Sequence, residues 1–127
     1  HRTKVQRNND KNIAKKTSLI ESSVERKQRD KIMILLHVQY KLKPNVRDEF
    51  IAKLREHDLA GQYRQQLGNI TYEYLVPIAE EDVLWVIDAW EDEAACEAHL
   101  TSPASEILGP LKQKYVLETN VTKFEIS

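Results

Sequence analysis

The chain has 127 residues, of which 31% are charged, and a formal net charge of −1. This length is that of one domain, and the longest apolar runs, Ile32-Met33-Ile34-Leu35-Leu36 and Val83-Leu84-Trp85-Val86-Ile87, are far too short to span a bilayer. A single cysteine, Cys96, excludes an internal disulfide and a multi-cysteine metal site. No apolar segment of leader type follows the basic start, so a cytoplasmic location is expected.

The net charge hides a split. Residues 1–32 hold ten Lys/Arg against four Asp/Glu, and residues 33–127 hold nine against sixteen. A basic arm is one footprint of nucleic-acid binding, but this arm has no aromatic residue to stack on bases and no accompanying motif. Neither nucleic acid nor a membrane is expected as a partner. Residues 1–31 read as an extension. Disorder or a frayed helix is expected over 1–16, and a short helix over 17–30 with Thr17 or Ser18 at its cap. The domain proper is 32–127.

From Ile32 to Lys41 the chain reads as a strand, with Leu36, Val38 and Tyr40 on one face and Leu35, His37 and Gln39 on the other. After a turn at Pro44-Asn45, a helix is expected from Val46 to Gln66. Its apolar side would carry Val46, Phe50, Leu54, His57 and Gly61. Leu67-Gly68-Asn69 ends it, with glycine supplying the left-handed cap. Ile70 to Val76 alternates as a strand, and Val83 to Trp90 is a strand apolar on both faces apart from Asp88. Asp92 caps one helix, Ser102-Pro103 starts another, and Thr119 to Ile126 is the last strand. The order β-α-β-β-α-α-β predicts an α+β, ferredoxin-like antiparallel sheet with helices on one face. The strand 83–90 then has one apolar face that helices do not cover, and a second copy of the chain is the simplest cover.

The segment Trp90-Glu91-Asp92-Glu93-Ala94-Ala95-Cys96-Glu97-Ala98-His99-Leu100-Thr101-Ser102-Pro103 resembles the W-E-D-x-x-A-x-x-A-H-L-x-S-P segment of the antibiotic-biosynthesis monooxygenase family. Leu42-Lys43-Pro44, Glu49-Phe50, Leu67-Gly68-Asn69-Ile70-Thr71-Tyr72-Glu73-Tyr74 and Leu108-Gly109-Pro110-Leu111 extend the resemblance across 33–126. It implies a dimeric α/β barrel, hence a homodimer, with a small-molecule pocket between helices and sheet. The family spans oxygenases, an isomerase and members without a known reaction, so the fold follows more firmly than the chemistry.

His99 is the first candidate catalytic residue. It lies beside the apolar side of its helix, where a neutral imidazole would take a proton from a phenol or enol; the competing reading is a partly buried histidine bonded to backbone or a carboxylate. His57, followed by Asp58, is the second candidate, against a core-edge histidine. Tyr72, Tyr74 and Trp85 are candidate substrate-binding residues, although the tyrosines also suit a core. Asp88 reads as a structural partner and Cys96 as a buried thiol.

No metal-ligand spacing, phosphate loop or flavin, nucleotide or PLP signature is present, so neither a metal nor a cofactor is expected. The chain also departs from the resembling haem degraders: Gly109 stands where they carry an iron-ligating histidine, Val38 where they carry a pocket asparagine, and Ala104 follows Pro103 where many relatives have histidine. These departures argue against haem degradation. The expected function is a cofactor-independent monooxygenase acting on a quinol-like or polyphenolic small molecule. The alternatives are an isomerase of a phosphorylated sugar-like ketone, of the autoinducer-2 phosphate type, and a non-catalytic binding or stress-response module. The isomerase needs a phosphate-binding cation, for which Arg55 and Arg64 on the long helix are candidates, neither of them obviously inward.

Overall fold

The computed structural model describes residues 3–9 and 32–127. Strands β1 (Thr3–Asn9), β2 (Met33–Leu42), β3 (Asn69–Leu75), β4 (Val83–Trp90) and β5 (Val116–Ile126) form one antiparallel sheet in the order β1-β5-β2-β4-β3. Helices α1 (Arg47–Glu56) and α2 (Leu59–Arg64) connect β2 to β3. Helices α3 (Glu93–His99) and α4 (Pro103–Tyr115) connect β4 to β5. This is the α+β, ferredoxin-like arrangement expected from the sequence.

The period-2 pattern decides which face meets the helices. Leu36 and Tyr40 on β2, with Leu84, Val86 and Trp90 on β4, join Phe50, Leu54, Leu59, Tyr63 and Tyr115 in one core. Phe50, Leu84 and Trp90 are wholly excluded from solvent, and full burial of such a side chain contributes roughly 1.5–3 kcal/mol. The opposite face carries Leu35, His37, Trp85, Ile87 and Phe124, all only partly buried. His37 and Phe124 meet there edge to face at 4.7 Å.

Helix ends follow their sequence signals. Asp92 accepts a hydrogen bond from the Ala95 amide at 2.8 Å, and Ser102 accepts one from Ser105, with Pro103 at the first helical position. Gly68 adopts φ +84°, and its carbonyl receives the Glu91 amide at 2.7 Å.

Two expectations are corrected. The helix expected over 46–66 is two helices, because Asp58 adopts φ 48° and turns the chain left-handed between them. Aspartate tolerates this region better than most residues. Just before the break, His57 leaves the apolar stripe and is exposed at the C-cap of α1. At the N-terminus, Thr3–Asn9 forms an edge strand paired with β5, from Thr3 opposite Ile126 to Asn9 opposite Asn120. Disorder or a frayed helix was the expectation there; the β5 edge supplies the hydrogen-bonding partner that a polar segment lacks by itself. The short helix expected over 17–30 lies outside the described residues.

Candidate active site

Strand register builds the floor of the site. Lys123 on β5 pairs with Leu36 on β2, Leu36 with Asp88 on β4, and Asp88 with Tyr72 on β3, so these four stand in one row across the helix-covered face. Val121, Val38, Val86 and Tyr74 form the adjacent row. Above the first row, α3 and α4 leave a cavity of about 380 Å³. This is within the range of small-molecule sites. Its wall is mostly apolar, from Leu36, Val38, Val86, Leu108 and Val121, with polar groups from Asp88, His99, Tyr63 and Tyr72.

Asp88 is 2% exposed. Its Oδ2 accepts the Trp90 indole N–H at 2.8 Å. Burial pushes its carboxyl up to about 7, against the lowering effect of that hydrogen bond. His99 stacks on the Trp90 indole, meets Tyr63 edge-on, and brings Nε2 to 3.8 Å from Asp88 Oδ2. Burial holds the imidazole down at about 4, against the raising effect of its bond to the Cys96 carbonyl. At neutral pH the imidazole is therefore uncharged, and the contact with Asp88 is not an ion pair.

The backbone of His99 is fixed as firmly as its ring. Ser102 Oγ and Ser105 Oγ both donate to the His99 carbonyl, at 2.8 and 2.6 Å. The Ser105 proton is thereby used, so Tyr63 donates its own to Ser105 Oγ at 2.6 Å. Tyr63 in turn stacks on Tyr72 with ring centroids 4.5 Å apart. Burial pushes the Tyr63 phenol up to about 12 and the Tyr72 phenol well above its ordinary range. Both remain protonated at neutral pH, with Tyr63 donating to Ser105 and the two rings stacked on each other. Burial also raises the Cys96 thiol, which argues against a thiolate nucleophile. At the far end of the row Lys123 and Glu93 form a 2.7 Å ion pair, each side chain 12% exposed.

Of the residues singled out in the sequence, His99 and Tyr72 line the cavity. Tyr74 lies outside the lining; it packs edge-on against Tyr72 at 5.8 Å, and its hydroxyl is buried without a partner among the described residues. His57 is exposed, and Trp85 is on the opposite face of the sheet, so neither reaches the cavity. Asp88, Tyr63 and Ser105 take part instead. Asp88 is visible in the sequence as the lone charge in an apolar strand, whereas Tyr63 carries no such signal. Among the described residues no three His, Cys, Asp or Glu side chains gather as a metal site. No described helix is long and apolar enough to cross a membrane.

A family model, antibiotic biosynthesis monooxygenase, matches residues 33–106. The chain is 33% identical over 67 residues to YcnE of Bacillus subtilis strain 168, a protein provisionally named a monooxygenase; the match covers 53% of this chain and 68% of YcnE. A conserved protein of Methanosarcina mazei Go1 superposes with a TM-score of 0.69 at 19% identity, over 80% of this chain and 99% of that one. A provisionally named antibiotic biosynthesis monooxygenase of Nitrosomonas europaea superposes at 0.63 with 15% identity, over 69% and 83%. The last two likenesses concern the fold alone. The family match covers more than half of the sequence, and the chain belongs to the antibiotic biosynthesis monooxygenase family.

Proposed function

We propose that the chain is a cofactor-independent monooxygenase that oxidises a quinol-like or polyphenolic small molecule in the cavity beneath His99, working as a homodimer. The observation that carries this reading is the buried carboxylate–imidazole pair of Asp88 and His99, opening on an apolar cavity walled by the stacked rings of Tyr63 and Tyr72. Family membership supports oxygen chemistry in general. The sequence carries no motif for an electron-supplying cofactor, so the electrons come from the substrate.

The steps balance for a phenol with an open ring C–H para to its hydroxyl. The buried pair takes the hydroxyl proton and leaves an electron-rich anion. This anion passes one electron to oxygen, and the two radicals couple to form a C–O bond. The resulting peroxide takes the proton back. Loss of the ring C–H proton, with cleavage of the O–O bond, then leaves a quinone and one water. The protein's tasks are to supply a base and to exclude water from the anion.

The isomerase alternative draws no support from the arginines of residues 46–66, none of which lines the cavity. Arg64 is committed to the Tyr72 carbonyl and Glu73, and Arg55 is exposed. The test is oxygen uptake by the full chain across a panel of naphthols and other phenols unsubstituted para to the hydroxyl, with quinone and water as expected products. Absence of enzyme-dependent uptake across the panel refutes the monooxygenase.

A further inference from the structure

We infer that Asp88, and not His99, is the group that takes the substrate proton, and that His99 is the positioning residue that receives the new Asp88 O–H as a hydrogen bond. The inference rests on the monooxygenase reading for its substrate and on the geometry of the pair for its assignment.

The tautomer comes first. His99 Nδ1 is bonded to the Cys96 carbonyl. A carbonyl oxygen only accepts, so Nδ1 carries the hydrogen. A neutral imidazole has one N–H, which leaves Nε2 bare. That bare nitrogen faces Asp88 Oδ2 at 3.8 Å. With the carboxyl ionised, lone pairs face lone pairs and no hydrogen bond can form. The arrangement lacks one proton. When the proton arrives on Asp88, its hydroxyl can donate to Nε2 once the two groups close by about 1 Å, to ordinary hydrogen-bond length.

Which atom keeps the proton follows from burial. With one proton on the pair, the choice is between a neutral Asp88 carboxyl beside a neutral imidazole and an Asp88 carboxylate beside a His99 imidazolium, which keeps two charges buried. The carboxyl is pushed up to about 7 and the imidazole down to about 4, both mainly by burial. A base matched to neutral pH is the efficient one. The other groups facing Asp88 do not compete with it. Tyr63 on α2, Tyr72 on β3 and Cys96 on α3 are held in their neutral forms by burial. Lys123 on β5 is bound by Glu93 on α3, and Lys112 on α4 and Glu97 on α3 complete the charged part of the wall. Trp90 is the sole hydrogen-bond donor to Asp88 among the described residues, which leaves carboxyl lone pairs for a substrate hydroxyl. In the step, the substrate O–H bond breaks, an Asp88 O–H bond forms, and the electron pair stays on the substrate oxygen.

The experiment uses 4-nitrophenol, whose ionisation is visible in its absorbance, with the full-length wild type and the Asp88→Asn and His99→Gln variants. Asparagine matches aspartate in shape and keeps an oxygen for the Trp90 indole, and circular dichroism checks both folds. At pH 8 the free probe and Asp88 are both ionised. Binding to the wild type should take up about one proton per site, read calorimetrically in buffers of different ionisation enthalpy. Asp88→Asn should take up none, and His99→Gln should retain uptake. The second arm is the pH profile of kcat/KM for a phenol the wild type oxidises. Asp88→Asn should lose about 10²- to 10⁴-fold and its rising limb, while His99→Gln keeps the limb at a shifted pH. Uptake that survives in Asp88→Asn and vanishes in His99→Gln overturns the assignment, as does failure of the wild type to bind the phenol. Proton uptake that follows Asp88 in a protein that oxidises no phenol sinks the monooxygenase and leaves the assignment of the base standing.

Discussion

The His99 imidazole lies flat on the Trp90 indole, with ring centroids 4.5 Å apart and planes 14° from parallel, and the same indole donates its N–H to Asp88 at 2.8 Å. One fully buried side chain thus sets the ring plane of one member of the pair and hydrogen-bonds the other. Trp90→Phe separates the two roles, because it keeps an aromatic surface and deletes the donor. A hydrogen bond to the charged form lowers a carboxyl pKa, so its loss should move Asp88 upward from about 7. Carbon-13 NMR of labelled aspartate checks this. An unchanged Asp88 titration would mean that the indole contact has no hold on the carboxyl. The variant should also lose roughly 2 kcal/mol of stability in urea, from the smaller ring and the lost bond.

The same pair predicts an unusual dependence of stability on pH. Asp88 has a raised folded pKa, so its contribution is fully present below about 3.8 and is lost as pH rises to about 7. His99 has a lowered one, so its contribution is present above about 6.5 and is lost as pH falls to about 4. At 1.36 kcal/mol per unit these slopes reach about 4 and about 3 kcal/mol at most, with opposite sign, over nearly the same window. In the wild type they should largely cancel. Asp88→Asn should expose the histidine slope, so that its stability, relative to the wild type, rises between pH 4 and 6.5. His99→Gln should expose the opposite slope, falling from pH 4 to 7. Urea melts across this range are the measurement, and parallel curves for all three proteins would contradict the shifts.

How far the sequence reaches is visible in single residues. Asp92, Ser102 and Pro103 announce their helix starts because capping is local chemistry. Tyr72 and His99 stand in the cavity wall, where alternation and helical spacing already place their faces. His57 is misplaced by a single left-handed residue, Asp58, whose backbone choice leaves no periodic trace. Trp85 is an error of parity that the sequence itself contains: on one strand, residue 85 faces away from residues 88 and 90. A cavity on the Trp90 side therefore excludes it. Asp88 is visible as a lone charge, but the role proposed for it depends on the His99 tautomer, which is set by the Cys96 carbonyl within α3.

Gly68 ties the fold to the site. At φ +84° an L side chain is strained, and a Cβ there would stand 2.5 Å from the Cβ of Ala95 on α3. That helix carries Cys96 and His99. Gly68→Ala should destabilise the protein by about 2 kcal/mol or more, combining left-handed strain of about 1–2 kcal/mol with the clash. Ala95→Gly in the same chain should relieve the clash and leave the strain, giving partial rescue. A double variant no better than the single one would show that the contact with α3 costs nothing.

The face of the sheet opposite the helices leads to the last prediction. Leu35 pairs with Phe124 and His37 with Ile87 across neighbouring strands, and Gln39 pairs with Trp85. These side chains are only partly buried, and the described helices pack on the other face. An apolar sheet face without helices over it is where the proposed dimer would form. A second copy placing the same face against it buries matching side chains by symmetry, as a two-fold interface requires. Interfaces of this obligate type commonly bury over about 2,000 Å² in total. Trp85 is the largest side chain on that face, and a charge in its place would be desolvated on association. The wild type should therefore run as a dimer in light scattering at micromolar concentration, and Trp85→Arg should shift it toward the monomer. A wild type that stays monomeric under these conditions refutes the dimer. A Trp85→Arg protein that stays fully dimeric would move the interface to another surface.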